Sequence, residues 1–154
     1  MTARHTIDDF LARKRLAVVG VSRNPKDFTR TLFAEFRRRG YDVVPVTPHT
    51  PEIDGLPCFA HVQDIDPPVE GALLLTNPAV TENVVRDCAE AKVPRVWMYR
   101  AGGSGAVSRA AVMFCVSSGI EVVAGECPFM FFPNTGGLHR FHGALRQVFG
   151  RYPQ

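Results

Sequence analysis

Several things are missing from this 154-residue sequence, and each absence removes a class of function. No apolar run approaches the ~20 residues that a bilayer span needs, so no membrane partner is expected. The opening residues, Met1-Thr2-Ala3-Arg4-His5-Thr6-Ile7-Asp8-Asp9, carry no hydrophobic signal core, and a cytoplasmic chain is expected. Cysteine is scarce. The four residues Cys58, Cys88, Cys115 and Cys127 form no C-x-x-C pair, which excludes a zinc knuckle and a thioredoxin-type redox pair. Cys88 and Cys115 fall inside helical patterns and read as small core residues. An excess of one charge is also missing: the net charge is only +3. The densest basic run, Arg37-Arg38-Arg39 before Gly40, reads as a solvated helix end with a glycine stop. No nucleic-acid partner is expected. Nor does the chain contain a Ser-His-Asp order, paired carboxylates or H-E-x-x-H.

What remains is an ordinary globular composition, 45% hydrophobic with 13 glycines and 12 prolines. A single domain over residues 1–154 follows from the length, with a core over 14–128 and a C-terminal extension over 129–154. Thr6 reads as the N-cap of a short first helix with Ile7, Phe10 and Leu11 on its apolar face. The continuous apolar run Leu16-Ala17-Val18-Val19-Gly20 reads as a strand buried on both faces. Phe28, Leu32, Phe33 and Phe36 then recur at helical spacing before the strand Tyr41-Asp42-Val43-Val44-Pro45-Val46. A weak strand around Leu56 to Phe59 and a short helical turn near Val62 follow. Gly71 to Thr76 is a third buried strand, and Asn77-Pro78 caps and starts a helix with Val80, Val84, Cys88 and Ala91 inward. Arg95 to Met98 and Ile120 to Val123 are the last strands, with a helix through Val107, Ala111, Phe114 and Cys115 between them. Strands alternating with helices predict an α/β three-layer sandwich around a mostly parallel five-stranded sheet. Leu138, Phe141, Leu145, Val148 and Phe149 predict an extra C-terminal helix. The aromatic 129–132 stretch admits a homodimer.

In such a sheet, ligands bind beyond the carboxyl ends of the strands, where the strand order reverses. The loop after the first strand, Gly20-Val21-Ser22-Arg23-Asn24-Pro25-Lys26-Asp27-Phe28-Thr29-Arg30, is the first place to look. Gly20 allows close backbone approach, and the helix that follows offers N–H groups and a positive pole to an anion. Ser22 adds a hydroxyl, and Lys26 and Arg30 add fixed charge for phosphates. The dinucleotide fingerprint G-x-G-x-x-G is absent. So is the acid at the end of strand two that reads a ribose 2′-hydroxyl; Pro45-Val46-Thr47-Pro48-His49 stands there instead. An NAD enzyme is disfavoured.

Gly20-x-Ser22 with Pro25, Lys26 and Arg30, then Gly40-Tyr41-x-Val43-x-Pro45-Val46-x-Pro48, Gly55, Trp97 and Cys127-Pro128 carry a resemblance. In that order they resemble the small stand-alone CoA-binding proteins, which are similar to the CoA-binding domain of the succinyl-CoA synthetase α subunit. The resemblance implies a Rossmann-like fold holding the nucleotide end of coenzyme A or an acyl-CoA. By position it implies that Gly20, Ser22, Lys26 and Arg30 line the pyrophosphate and 3′-phosphate region. Val46, Thr47 and Pro48 would flank the adenosine, and Thr76, Asn77 and Pro78 would form the neighbouring wall. Thr47 stands where the family usually has Asn, and Thr76-Asn77-Pro78 where it usually has an Arg-containing segment.

Binding without catalysis is therefore the leading expectation, with a small-molecule ligand and no metal. Cys127 has two readings: a buried thiol closing the last strand, or a reactive thiol facing the pantetheine end of the ligand. The second would make the protein a CoA- or nucleotide-dependent enzyme. His139 and His142 lie one helical turn apart, and their spacing matches no zinc signature.

Overall fold

The computed structural model describes residues 3–133. The expected C-terminal helix, His139 and His142 lie outside the described residues. In chain order the elements are α1 (Arg4–Leu11), β1 (Arg15–Val19), α2 (Phe28–Arg38), β2 (Asp42–Val46), β3 (Glu52–Ile53), β4 (Leu56–Pro57), β5 (Gly71–Leu74), α3 (Pro78–Glu90), β6 (Arg95–Tyr99), α4 (Arg109–Ser117) and β7 (Glu121–Glu126). Single 3₁₀ turns occur at Val62–Asp64 and Pro128–Met130.

Five strands form one parallel sheet in the order β2-β1-β5-β6-β7. β1 sits between β2 and β5, so its residues must be apolar on both faces, and four of its five positions are buried. Leu16 and Val18 enter one core cluster with Ile7 and Phe10 of α1 and Leu32, Phe33 and Phe36 of α2. Ala17 and Val19 enter the other, with Val84, Val85 and Cys88 of α3 and Ala111 and Cys115 of α4. The period-2 alternation of the strand thus separates the two helical layers. This is the expected three-layer Rossmann-like sandwich. No helix among the described residues is long and apolar enough to cross a membrane.

Some local expectations shift. α1 begins at Arg4, with the Ala3 carbonyl accepting the first turn's amides and no side-chain cap. The stripe of α3 buried in the core is Thr81, Val84, Val85 and Cys88, whereas Val80 is exposed. Asp54-Gly55 forms a hairpin between β3 and β4, with φ of +49° and +80°. That is the backbone a tight two-residue turn requires and that Asp-Gly favours. β7 runs three residues beyond Val123, through a bulge against Met98 and Tyr99 that spends Gly125 at φ +96°.

The aromatic stretch turns inward. Phe129 and Phe132 are 5% and 7% exposed. The Phe132 ring lies 5.0 Å from that of Phe36, and Phe131 stands edge-on to Trp97. Contacts of this kind add about 0.5–1.5 kcal/mol each beyond area burial. Most of the stretch is therefore spent on the core, with Met130 and Phe131 left half-buried. The buried core also reaches past residues 14–128 at both ends, through Ile7, Phe10, Phe129 and Phe132.

The basic run at the end of α2 is partly bound. Arg38 donates to Glu35 from Nε and Nη2 at 2.9 and 2.6 Å, and Arg39 Nε donates at 2.7 Å while stacking on the Phe132 ring. The Arg38 hydrogen bonds, then Arg39, hold the Glu35 carboxyl down to about 2 against an ordinary 4.5. A carboxylate with a depressed folded-state pKa stabilises the fold above its ordinary pKa, and that contribution is lost as pH falls toward the folded value. Glu35→Gln should therefore show a flatter loss of stability than wild type between pH 4.5 and about 2, read as denaturant midpoints across that window. Parallel profiles would show that the Arg38–Glu35–Arg39 cluster contributes nothing.

Candidate functional site

The chain passes from β1 outward to β2 and then back across to β5, so the strand order reverses between β1 and β5. The constraint at this point is steric. Gly20 follows β1 with φ +92°, and a Cβ there would lie 3.0 Å from the Leu75 carbonyl oxygen and 3.1 Å from Thr76 Cγ2. Its amide donates to the Val46 carbonyl at 3.0 Å, while Leu75 N–H donates to the Val19 carbonyl at 2.8 Å. The loops leaving β1 and β5 therefore touch through bare backbone. Beside them, beyond the carboxyl ends of β1, β2 and β5, lies a crevice of about 670 Å³, within the usual range for small-molecule sites.

Of the residues expected at the site, Gly20, Ser22, Val46, Thr47, Pro48, Thr76 and Asn77 line this crevice together. Lys26, Arg30 and Pro78 do not. Lys26 is exposed on the outer part of the loop, where its amide is held by Asn24 Oδ1 at 3.0 Å. Arg30 is turned to Asp54 and to the carbonyls of Ser22 and Arg23, and its side chain is 13% exposed. Pro78 is the first residue of α3, behind its cap: Asn77 Oδ1 accepts the Val80 amide at 2.9 Å.

The N-terminus of α2 is not open to an anion as expected. Asp27 caps it, accepting from Thr29 N at 2.8 Å and Thr29 Oγ1 at 2.7 Å. Those bonds, side chain before backbone, hold the Asp27 carboxyl below the usual carboxylate range. A bound ligand anion would meet that negative charge instead of a bare helix pole.

Five further polar residues line the crevice: Arg23, His49, His61, Asn83 and Asp87. Asn83 and Asp87 share the exposed α3 face with Val80, at i and i+4. That spacing was present in the sequence, but nothing there says which face meets the sheet ends. Asp87 accepts from Gln63 Nε2 at 2.8 Å, and His61 Nδ1 stands 3.7 Å from its other oxygen. Thr76 is oriented by a 2.6 Å hydroxyl–hydroxyl bond to Thr81, which is fully buried. Thr47 Oγ1 accepts the His49 amide at 3.2 Å, closing the turn that an Asn would otherwise close.

Cys127 stands apart. It is 1% exposed, lies in the α1/α2-side cluster and neighbours Tyr99. Burial first, and then the neighbouring Cys127, push the Tyr99 phenol up. The thiol does not line the crevice. No group of three or more potential metal ligands occurs among the described residues.

The sheet order and the crevice at its reversal point define a Rossmann-like binding domain. Residues 14–133 match the family described as CoA binding domain, and the chain belongs to that family. It is 25% identical over 122 residues to an uncharacterized protein, YneT, of Bacillus subtilis, covering 79% of this chain and 87% of that protein. A solved hypothetical protein from Pyrococcus horikoshii superposes with TM-score 0.75 at 26% identity, over 83% of this chain and 87% of that one. At 22% identity and TM-score 0.66, 77% of the chain matches 27% of the dinucleotide-forming acetyl-coenzyme A synthetase 1 of Ca. Korarchaeum cryptofilum, solved with phosphate and ADP. That last similarity shows the fold alone.

Replacing Gly20 tests the steric constraint. Gly20→Ala combines a left-handed φ with contact against Leu75 and Thr76, a strain of roughly 1–3 kcal/mol. Its Tm should fall by about 2–4 °C for each kcal/mol lost. An unchanged Tm in differential scanning calorimetry would show that the two loops have room to separate.

Proposed function

We propose that the crevice binds coenzyme A or an acyl-CoA by its nucleotide end, and that the chain performs no chemistry on it. The observation that carries this reading is a crevice at the strand-order reversal in a chain that belongs to the CoA binding domain family. In this reading the ligand's phosphates lie against Gly20, Ser22 and Arg23, where the bare backbone of Gly20 lets them approach closely. Arg23 takes the cationic role, because it is a residue of the crevice lining and Lys26 and Arg30 are not. Val46, Thr47 and Pro48 flank the adenosine, and Thr76 and Asn77 face them from the start of α3. His49 and His61 add ring nitrogens that hydrogen-bond phosphate or base.

Two features favour CoA over NAD. No acid stands at the end of β2 to read a ribose 2′-hydroxyl; Asp42, the acid of that strand, is at its start. The first loop also lacks the second and third glycines of the dinucleotide fingerprint. The Cys127 thiol is buried away from the crevice, which argues against its acting on a bound ligand, since a reactive thiol must be accessible.

Competitive calorimetry should show CoA binding at least tenfold tighter than NAD, and tighter NAD binding would overturn the proposal. Acyl-CoA incubated with the protein should show no sustained hydrolysis or transfer. Turnover that disappears in Cys127→Ala would replace the binding role with an enzymatic one.

A further inference from the structure

The Arg30 side chain reaches back along its own loop rather than into the crevice. Nη1 donates to the Ser22 carbonyl at 3.4 Å and to the Arg23 carbonyl at 3.2 Å, while Nη2 pairs with Asp54 Oδ1 at 2.5 Å. Asp54 is itself anchored. It sits at the tip of the β3–β4 hairpin with φ +49°, and its carbonyl accepts from Arg37 Nη1 at 3.1 Å. One guanidinium thus ties the loop after β1 to a separate hairpin and to α2.

We infer that Arg30, held by Asp54, is a positioning residue that presents the Ser22–Arg23 backbone to the anionic part of the ligand. This rests on the binding role proposed above. In a trans peptide the carbonyl and the following N–H point in opposite directions. Holding the Ser22 carbonyl on Arg30 therefore aims the Arg23 N–H away from Arg30. That N–H has no hydrogen-bond partner among the described residues, and Arg23 lines the crevice. The same grip occupies two carbonyl oxygens that would repel phosphate if they turned toward it. The amides on either side of it are already committed, Ser22 N to Thr29 Oγ1 and Asn24 N to Ser22 Oγ. Backbone N–H groups fixed in this way bind anions without reorganising. The rigid fork matters, because Arg spans two carbonyls and a carboxylate at once, whereas Lys offers a point charge.

A direct phosphate contact by Arg30 and this indirect role make opposite predictions for Asp54. Asp54→Gly tests them, since glycine adopts φ near +49° without strain. Removing a negative charge near an anion site strengthens binding by Coulomb's law alone. The positioning role instead predicts that Asp54→Gly weakens CoA binding at least threefold, measured by calorimetry well below the Tm of each protein. Arg30→Met should weaken it at least tenfold, with the slope of log Kd against log salt unchanged, because no phosphate contact is lost. Arg30→Lys should fail to restore wild-type affinity. In the ligand-free protein the Ser22 amide should exchange at least tenfold faster in Arg30→Met and Asp54→Gly. Equal or tighter CoA binding by Asp54→Gly, or a salt slope reduced by about one in Arg30→Met, would overturn the inference. If wild type itself fails to bind CoA, the binding role fails. The exchange measurement then decides the positioning role alone, and an unchanged Ser22 rate would overturn it.

Discussion

Backbone packed against backbone at Gly20 is the contact on which the crevice depends. β1 is held inside the sheet by neighbours on both edges and helices on both faces, so the residue after it has little freedom of position. The chain must turn there with a left-handed φ while the loop from β5 passes 3.0 Å from where a Cβ would be. Glycine alone meets both demands at low cost. With those two loops in contact, the carboxyl ends of β1, β2 and β5 leave an open space that α3 walls on one side.

Much of the protein's basic character is spent on ion pairs within the fold. Arg15 pairs with Asp42, Arg95 with Asp9, Arg30 with Asp54, and Arg38 and Arg39 with Glu35. Several of these join elements distant in sequence, and Arg95 also donates to the Glu70 carbonyl across the base of the sheet. The net charge of +3 is consequently a poor guide to anion binding. Among the described residues that line the crevice, the fixed charges are one arginine, Arg23, and one carboxylate, Asp87, which is engaged by Gln63. Under the proposed binding role, recognition of an anion there leans on oriented backbone and neutral donors. For such a site the conformation of the loop matters more than its charge count.

The helix after β1 illustrates how local and tertiary signals separate. A glycine followed by a helix suits an anion-binding N-terminus, but Asp27 is also a strong N-cap. The cap satisfies the Thr29 amide locally and adds a negative charge at the helix pole. Asp54-Gly55 shows the reverse. The turn signal was legible, but strands of two residues each are too short to display an alternating pattern.

By itself the sequence determined the alternation of strands and helices, the parallel sheet, and the two segments that meet at the site. Strands buried on both faces require continuous apolar runs, helices require a 3.6-residue stripe, and both are written in one dimension. It also located part of the crevice wall, because residues at the carboxyl ends of β1, β2 and β5 are ordered by topology. Only the tertiary structure decided which cations line the crevice. Arg23 and Arg30 are both basic residues of one loop-and-helix segment, but packing against the β3–β4 hairpin draws Arg30 to Asp54 and leaves Arg23 in the crevice lining. It likewise placed Asn83 and Asp87 at the site and Cys127 in the core. Those outcomes depend on partners brought together from distant parts of the chain, a relation that residue spacing along one segment does not encode.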